Sequence, residues 1–191
     1  MNIIDRTFEK IYGEICWDVI YERFLNLSMR LGEPSFGECH QPSQKVAPSE
    51  IRRRIATKDW QIRPFKARRW VHVQGRWGLW IYMAYWKISC QGIQVATSSS
   101  SPRIKSLATQ DLDGQKLTKV QVNPDTGATA FSFDLGSVVE VRRFERTSTD
   151  ELWILNKPNG YFLSVRGDGT YDHVPGSGLD NRPGVKRRPL E

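Results

Sequence analysis

The chain has 191 residues, a hydrophobic fraction of 39%, an aromatic fraction of 11% and a net charge of +7. This length allows one domain with a core of its own, and the composition excludes an intrinsically disordered chain. The positive charge favours anionic partners, but does not choose among nucleic acid, a lipid surface and an acidic protein.

Cysteine usage and the N-terminal sequence bear on the compartment. The three cysteines are Cys16, Cys39 and Cys90, and an odd, sparse set does not predict a disulfide framework. The N-terminal residues carry acids throughout and lack the apolar region of a signal peptide. The longest apolar stretch, GLWIYMAYW, is far shorter than the roughly 20 residues of a membrane-spanning helix. We therefore expect a soluble, cytoplasmic protein that does not enter a membrane.

The N-terminal third, residues 1–66, predicts a helix followed by an irregular basic segment that packs on the core. Residues 5–31 carry apolar side chains at spacings of three to five, which indicates an amphipathic helix, either continuous or divided into two pieces at Gly13, that ends at the GEP sequence of residues 32–34. Residues 32–66 contain four prolines and many polar residues, so we expect a long, partly ordered loop that is a candidate contact surface, with APSEIRRRI as a candidate for one short helix capped by Ser49. The apolar residues of the predicted helix are Phe8, Ile11, Ile15, Val19, Phe24, Leu27 and Leu31.

An aromatic stretch, RRWVHVQGRWGLWIYMAYWKISC, follows at residues 68–90. The QGR sequence at 74–76 predicts a turn, and residues 77–90 predict a central strand that is apolar on both faces. Burial of such side chains contributes roughly 1.5–3 kcal/mol each, which favours a core strand over a base-stacking surface. Any exposed aromatic side chains are then expected at the strand ends, at Trp70, Trp77 or Trp86.

The second half of the chain predicts an antiparallel sandwich or barrel over residues 67–174. A short helix should begin at Pro102, and apolar strands then alternate with turn sequences such as NPDTG, KPNG and GDG. Beyond residue 174 little can be buried, so residues 175–191 predict a flexible basic tail. The fold class expected for the whole chain is α+β, mainly β, with an N-terminal helical segment.

A cluster of basic residues is the main candidate for a binding surface. Residues 52–76 hold nine Lys and Arg and a single acid, Asp59, which gives this segment a charge of +8. Trp60 and Phe65 interleave with the basic residues, as in surfaces that hold phosphates and stack bases. A solvated basic edge, or arginines paired with carboxylates elsewhere, would give the same composition.

No sequence signature of catalysis or of metal binding is present. Cys39 and His40 are adjacent, but neighbouring side chains of an extended segment point apart, and a pair such as Cys90 with His72 would have to be assembled in space. The cysteines and histidines lack zinc-ligand spacing, and the aspartates fall mostly in turns. We predict no catalytic residue, no metal site and no cofactor.

Several stretches resemble a family of small bacterial proteins without an assigned activity. The matching sequences are RRWVHVQGRWGLWI, DLDGQKL, FSFDLG and LWILNKPNGYFLSVRGDGTY, within residues 68–174. The resemblance implies a pattern of strands and a role like that of toxin-immunity proteins. It implies no catalytic residue. A target of this +7 chain would need an acidic face.

We therefore predict a non-enzymatic binding protein that acts on another protein as an inhibitor, immunity protein or adaptor, with an anionic protein as the expected partner. Binding of RNA or single-stranded DNA by the same surface is one alternative, and an enzyme whose pocket collects dispersed residues is another. The residues expected to bind are Arg52, Arg53, Arg54, Arg63, Arg68, Arg69, Trp70, Arg76 and Trp77.

Overall fold

The computed structural model describes residues 2–21, 26–41, 53, 68–145, 148–176 and 187–190, without the side chains of 38–41 and 68–70. The described part is mainly β and includes the helices α1 (Ile3–Phe8) and α2 (Pro102–Leu112). Its strands are β1 (Cys16–Tyr21), β2 (Leu27–Gln41), β3 (Arg68–Ile81), β4 (Tyr85–Cys90), β5 (Ile93–Thr97), β6 (Leu117–Val122), β7 (Thr129–Phe133), β8 (Ser137–Arg142), β9 (Glu151–Asn156), β10 (Tyr161–Arg166), β11 (Thr170–Pro175) and β12 (Arg188–Pro189).

These strands form two antiparallel sheets, which confirms the mainly β fold class. The seven-stranded sheet has the order β1-β2-β3-β9-β10-β11-β12, and the five-stranded sheet has the order β5-β4-β8-β7-β6. The inner faces meet where Trp153 of β9 packs against Phe131 of β7, with ring centroids 5.8 Å apart. The two layers with alternating buried residues fit the predicted sandwich.

An aromatic cluster fixes α1 between the sheets. Phe8 is fully buried, and its ring centroid lies 5.7 Å from that of Trp153 and 6.0 Å from that of Phe131. Asn2 caps the helix, since its Oδ1 accepts the Asp5 N–H at 2.9 Å. The short helix therefore belongs to the core and has a fixed position between the two sheets.

The chain divides into two compact units, a main unit of Met1–Pro34 with Gly75–Glu191 and a second unit of Ser35–Gln74. β2 and β3 contribute residues to both units. The N-terminal strands β1 and β2 thus share a sheet with β9 to β12 of the second half.

The predicted helix over residues 5–31 is wrong beyond its first turns. α1 ends at Phe8, Gly13 has a φ of +87°, and β1 begins at Cys16. From residue 27 the side chains alternate, and Leu27, Met29 and Leu31 are all fully buried. This period of two is the strand signal, and the looser helical spacing over the whole stretch concealed it.

The aromatic stretch is divided into two strands at residues 82–84 rather than at the predicted turn of residues 74–76. β3 runs through the predicted turn at 74–76 and ends at Ile81, and β4 starts at Tyr85. Between them Met83 adopts a φ of +49°, and its N–H donates to Asn26 Oδ1 at 3.2 Å. No Gly or Pro marks this break, so the sequence did not reveal it.

We predicted that the aromatic stretch would be buried on both faces, and this prediction is correct for one face only. Trp77 and Trp86, expected at exposed ends, are buried, whereas Trp80 is 47% exposed. The seven-stranded sheet therefore leaves an aromatic side chain of β3 on its outer face, unlike the strand covered on both faces that we predicted.

The elements after residue 100 agree closely with those predicted from the sequence. Ser101 caps α2, and Pro102 occupies its first turn.

The turn between β6 and β7 packs closely against the turn between β10 and β11 of the other sheet. A Cβ on Gly127 would lie 2.0 Å from the Arg166 carbonyl oxygen. A Cβ on Gly169 would lie 2.1 Å from the Pro124 carbonyl oxygen. Only glycine permits both this approach and the positive φ of these two residues.

The end of the chain differs in part from the predicted flexible tail. Arg188 and Pro189 form β12, in register with Tyr171 and Thr170 of β11. The Leu190 N–H donates to the Gly169 carbonyl oxygen at 2.9 Å. These last residues are therefore bonded to the edge of the seven-stranded sheet.

Candidate functional site

The residues predicted to bind fall into three groups. Arg53 is helical and exposed, and Arg76 is exposed on β3. Trp77, by contrast, is 5% exposed and lines a cavity of the main unit. Arg68, Arg69 and Trp70 lie on β3 without described side chains, and Arg52, Arg54 and Arg63 lie outside the described residues.

The described part of the second unit presents an apolar face. Phe36 of β2 is 80% exposed, and Val71 and Val73 of β3 are 61% and 46% exposed. Val71 and Val73 share a face because side chains two residues apart in a strand point the same way. Exposed apolar side chains on neighbouring strands, rather than scattered singly, are typical of an interaction surface.

The opposite face of the same strands is polar and closely packed. A Cβ on Gly37 would lie 2.6 Å from His72 Cε1 and 3.2 Å from Gln74 Cδ, so these two side chains cover Gly37. His72 Nε2 lies 3.2 Å from Gln74 Oε1, and Ser35 Oγ donates to the Gln74 carbonyl oxygen at 3.3 Å. Because Phe36 alternates with Gly37 and Val71 and Val73 alternate with His72, the apolar side chains lie together on the other face.

A larger cavity of about 510 Å³ lies in the main unit, on the outer face of the five-stranded sheet. Lys87 forms an ion pair with Glu140 on the neighbouring strand. The Arg142 guanidinium carbon lies 4.2 Å from the centroid of the Tyr85 ring. The sequence did not single out these residues, since each is an ordinary outward residue of an alternating strand. The Lys87 and Glu140 charges are paired, and the Arg142 guanidinium lies over the uncharged Tyr85 ring, so the described lining carries one net positive charge.

Of the three cysteines, Cys16 is poorly suited to act as a nucleophile. Burial and the Asp113 carboxylate raise the pKa of the Cys16 thiol far above its usual range, which keeps it neutral. Cys90 is half-buried on β4, and the side chains of Cys39 and His40 are outside the described set. Within the described ranges, no group of three or more His, Cys, Asp or Glu side chains is arranged to hold a metal ion.

Comparison with protein-family models, with curated proteins and with solved structures found no match for this chain. None of the helices in the described part of the chain has the length and apolar character needed to cross a membrane.

Proposed function

We propose that the protein is a non-enzymatic binding protein that recognises an acidic protein partner through residues 35–76. The exposed apolar face of Phe36, Val71 and Val73 carries this proposal. An inhibitor or immunity-like role in a reducing cytosol agrees with the resemblance of residues 68–174 and with the sparse cysteines.

Charge and apolar surface together define the expected partner. The sequence between residues 52 and 76 has a charge of +8, and the exposed Arg76 belongs to it. An acidic partner would meet this charge, which speeds encounter and selects against basic partners. The apolar face would supply the desolvated contact that holds the complex, as anchors at the centre of an interface do.

The aliphatic side chains favour a protein over nucleic acid. Single-stranded nucleic acid binds to aromatic platforms on which bases stack. Val71 and Val73 offer no such ring, and Phe36 is the only aromatic residue among the three. On this face a base could stack on Phe36 only, and most of the affinity for nucleic acid would come from the arginines and would weaken steeply with salt. The other aromatic residues of the segment, Trp60, Phe65 and Trp70, have no described side chains.

The test compares two kinds of variant in pull-downs from the native host lysate, with and without nuclease. One variant changes Arg52, Arg53, Arg54, Arg68 and Arg69 to Glu. The other combines Phe36→Ser, Val71→Thr and Val73→Thr, which leaves the charge unchanged. Its matched control is Ile93→Thr, because Ile93 is 71% exposed on β5 of the main unit.

We expect wild type and the Ile93→Thr control to retain the same protein after nuclease treatment, and both variants to lose it. Retention that disappears with nuclease, together with full binding by the apolar-face variant, would identify nucleic acid as the partner. Unchanged capture by both variants would exclude residues 35–76 as the binding surface.

A further inference from the structure

A second cavity, of about 360 Å³, lies in the main unit between α1 and the turn that joins β9 to β10. Among the residues that the structure describes, its lining contains three basic side chains, Arg6, Lys10 and Lys157, and no acidic one. The ion pairs found among the described residues do not involve any of these three. The cavity is therefore electropositive from several sides.

The fold holds two of these cations in place through α1. Arg6 and Lys10 lie one turn apart in and just after the helix, so they face the same way. Phe8 and Thr7, between them in sequence, are buried. Since Phe8 is anchored in the aromatic core, the backbone that carries Arg6 and Lys10 cannot move away to relieve their mutual repulsion.

The third cation comes from the KPNG turn. The Lys157 N–H donates to the Tyr161 carbonyl oxygen at 2.9 Å, and Gly160 adopts a φ of +74°, which closes the hairpin. Lys157 Nζ lies 3.1 Å from His173 Nε2 on β11. Burial and the charge of Lys10 lower the pKa of Lys157, and burial, Lys157 and Arg188 lower that of His173.

Trp77 forms the aromatic wall of this cavity. This side chain lines the cavity and is 5% exposed, and its Nε1–H is buried without an acceptor among the described residues. An indole N–H can only donate, and leaving such a donor unbonded costs about 1–3 kcal/mol. The cavity thus combines unpaired positive charge with a wall residue that carries an unused donor, and an anionic ligand would neutralise that charge.

We propose that this cavity is a binding site for a phosphate group, either as inorganic phosphate or as a small phosphate monoester. Phosphate carries about −1.5 to −2 charges near pH 7 and several strong acceptor oxygens, so it matches three cations better than a single carboxylate does. Arg6 can bind two of its oxygens at once, and the lysines act as point charges. The apolar walls, Ile3 and Pro158, leave room for the carbon chain of an ester.

The test is a titration of the full chain with inorganic phosphate and with glycerol 3-phosphate, followed by calorimetry and by ¹⁵N NMR of the indole N–H groups. Sodium chloride at equal ionic strength corrects for screening. Trp77→Phe assigns the Trp77 indole resonance and removes the donor while it keeps an apolar wall. Lys157→Gln and Arg6→Gln each remove one cation, and Arg103→Gln is the matched control, since Arg103 is exposed on α2 and outside the cavity lining.

We expect the Trp77 indole resonance to shift on titration, and each cation variant to weaken binding about tenfold or more, as the loss of a charge-assisted bond predicts. The Arg103→Gln control should bind as wild type. Tighter binding of glycerol 3-phosphate than of phosphate would identify a monoester as the ligand. An unmoved Trp77 resonance, equal weakening in Arg103→Gln, or no binding of either compound would overturn the proposal.

Discussion

The hydroxyl of Thr129 connects the two sheets, and we expect its removal to destabilise the protein. Thr129 Oγ1 accepts the Trp153 Nε1–H at 2.8 Å and donates to the Gly127 carbonyl oxygen at 2.8 Å. Both Thr129 and Trp153 are buried. Thr129→Val keeps the shape of the side chain but removes both hydrogen bonds.

The expected loss follows from the group that is left unbonded. A buried donor without a partner costs about 1–3 kcal/mol, and the lost bond to Gly127 adds about 1 kcal/mol. The free energy of unfolding should therefore fall by about 2–4 kcal/mol in Thr129→Val. Thr129→Ser keeps the hydroxyl and loses one methyl group, which costs about 1 kcal/mol.

Urea unfolding, followed by far-UV circular dichroism, measures both variants against wild type. The Trp153→Phe variant, alone and combined with Thr129→Val, completes a double-mutant cycle. The two changes should be less than additive, because removing the indole N–H also removes the unbonded donor. A Thr129→Val protein as stable as Thr129→Ser, or strictly additive losses, would refute the role of this hydroxyl.

Three other predictions concern a turn, a histidine and a thiol. Gly169→Ala should lower the free energy of unfolding by at least about 2 kcal/mol, whereas Gly92→Ala, with a similar φ but open space, should cost about 1 kcal/mol in the same urea assay. The pKa of His173 is lowered from 6.5 in the folded protein, so the unfolded chain binds the proton at a higher pH than the folded one. The free energy of unfolding should therefore fall more in wild type than in His173→Gln when the pH is lowered from 7.5 to 5.5. Cys16 should react with iodoacetamide only after unfolding, whereas Cys90 should react in the native protein. Mass spectrometry of labelled peptides measures both rates, and equal native rates would contradict the burial of Cys16.

The sequence predicted the second half of the fold well because strong local signals mark it. Ser101-Pro102 begins α2, and the KPNG sequence closes a hairpin at Gly160, as glycine and proline chemistry requires. The first half has weaker signals. β2 alternates Leu27, Met29 and Leu31 with polar residues, but this short pattern also fits the apolar spacing of the predicted helix, so its start was predicted as helical. The break between β3 and β4 at Met83 has no glycine or proline to mark it.

The candidate sites were less predictable, because they depend on contacts between distant parts of the chain. Arg6, Lys10 and Lys157 are isolated basic residues in the sequence, and only the packing of α1 beside the KPNG turn brings them together. The basic segment could be recognised in the sequence by its charge density. The exposure of the apolar side chains Phe36, Val71 and Val73 could not be predicted from the sequence. Alternation indicates which side chains share a face, but not which face remains uncovered.

The strand order has a consequence for how the chain folds during synthesis. All five strands of the β5-β4-β8-β7-β6 sheet lie within residues 85–142, so this layer can pair as soon as that stretch has left the ribosome. The other layer joins β3 to β9 through pairs such as Ile81 with Trp153, and its last strand ends at Pro189. β1, β2 and β3 are neighbours in that layer and can pair with one another earlier, but the layer stays incomplete, with the β9 side of β3 unpaired, until β9 is made. The nascent chain is most exposed to aggregation during this interval, and it is then that a chaperone would have most effect.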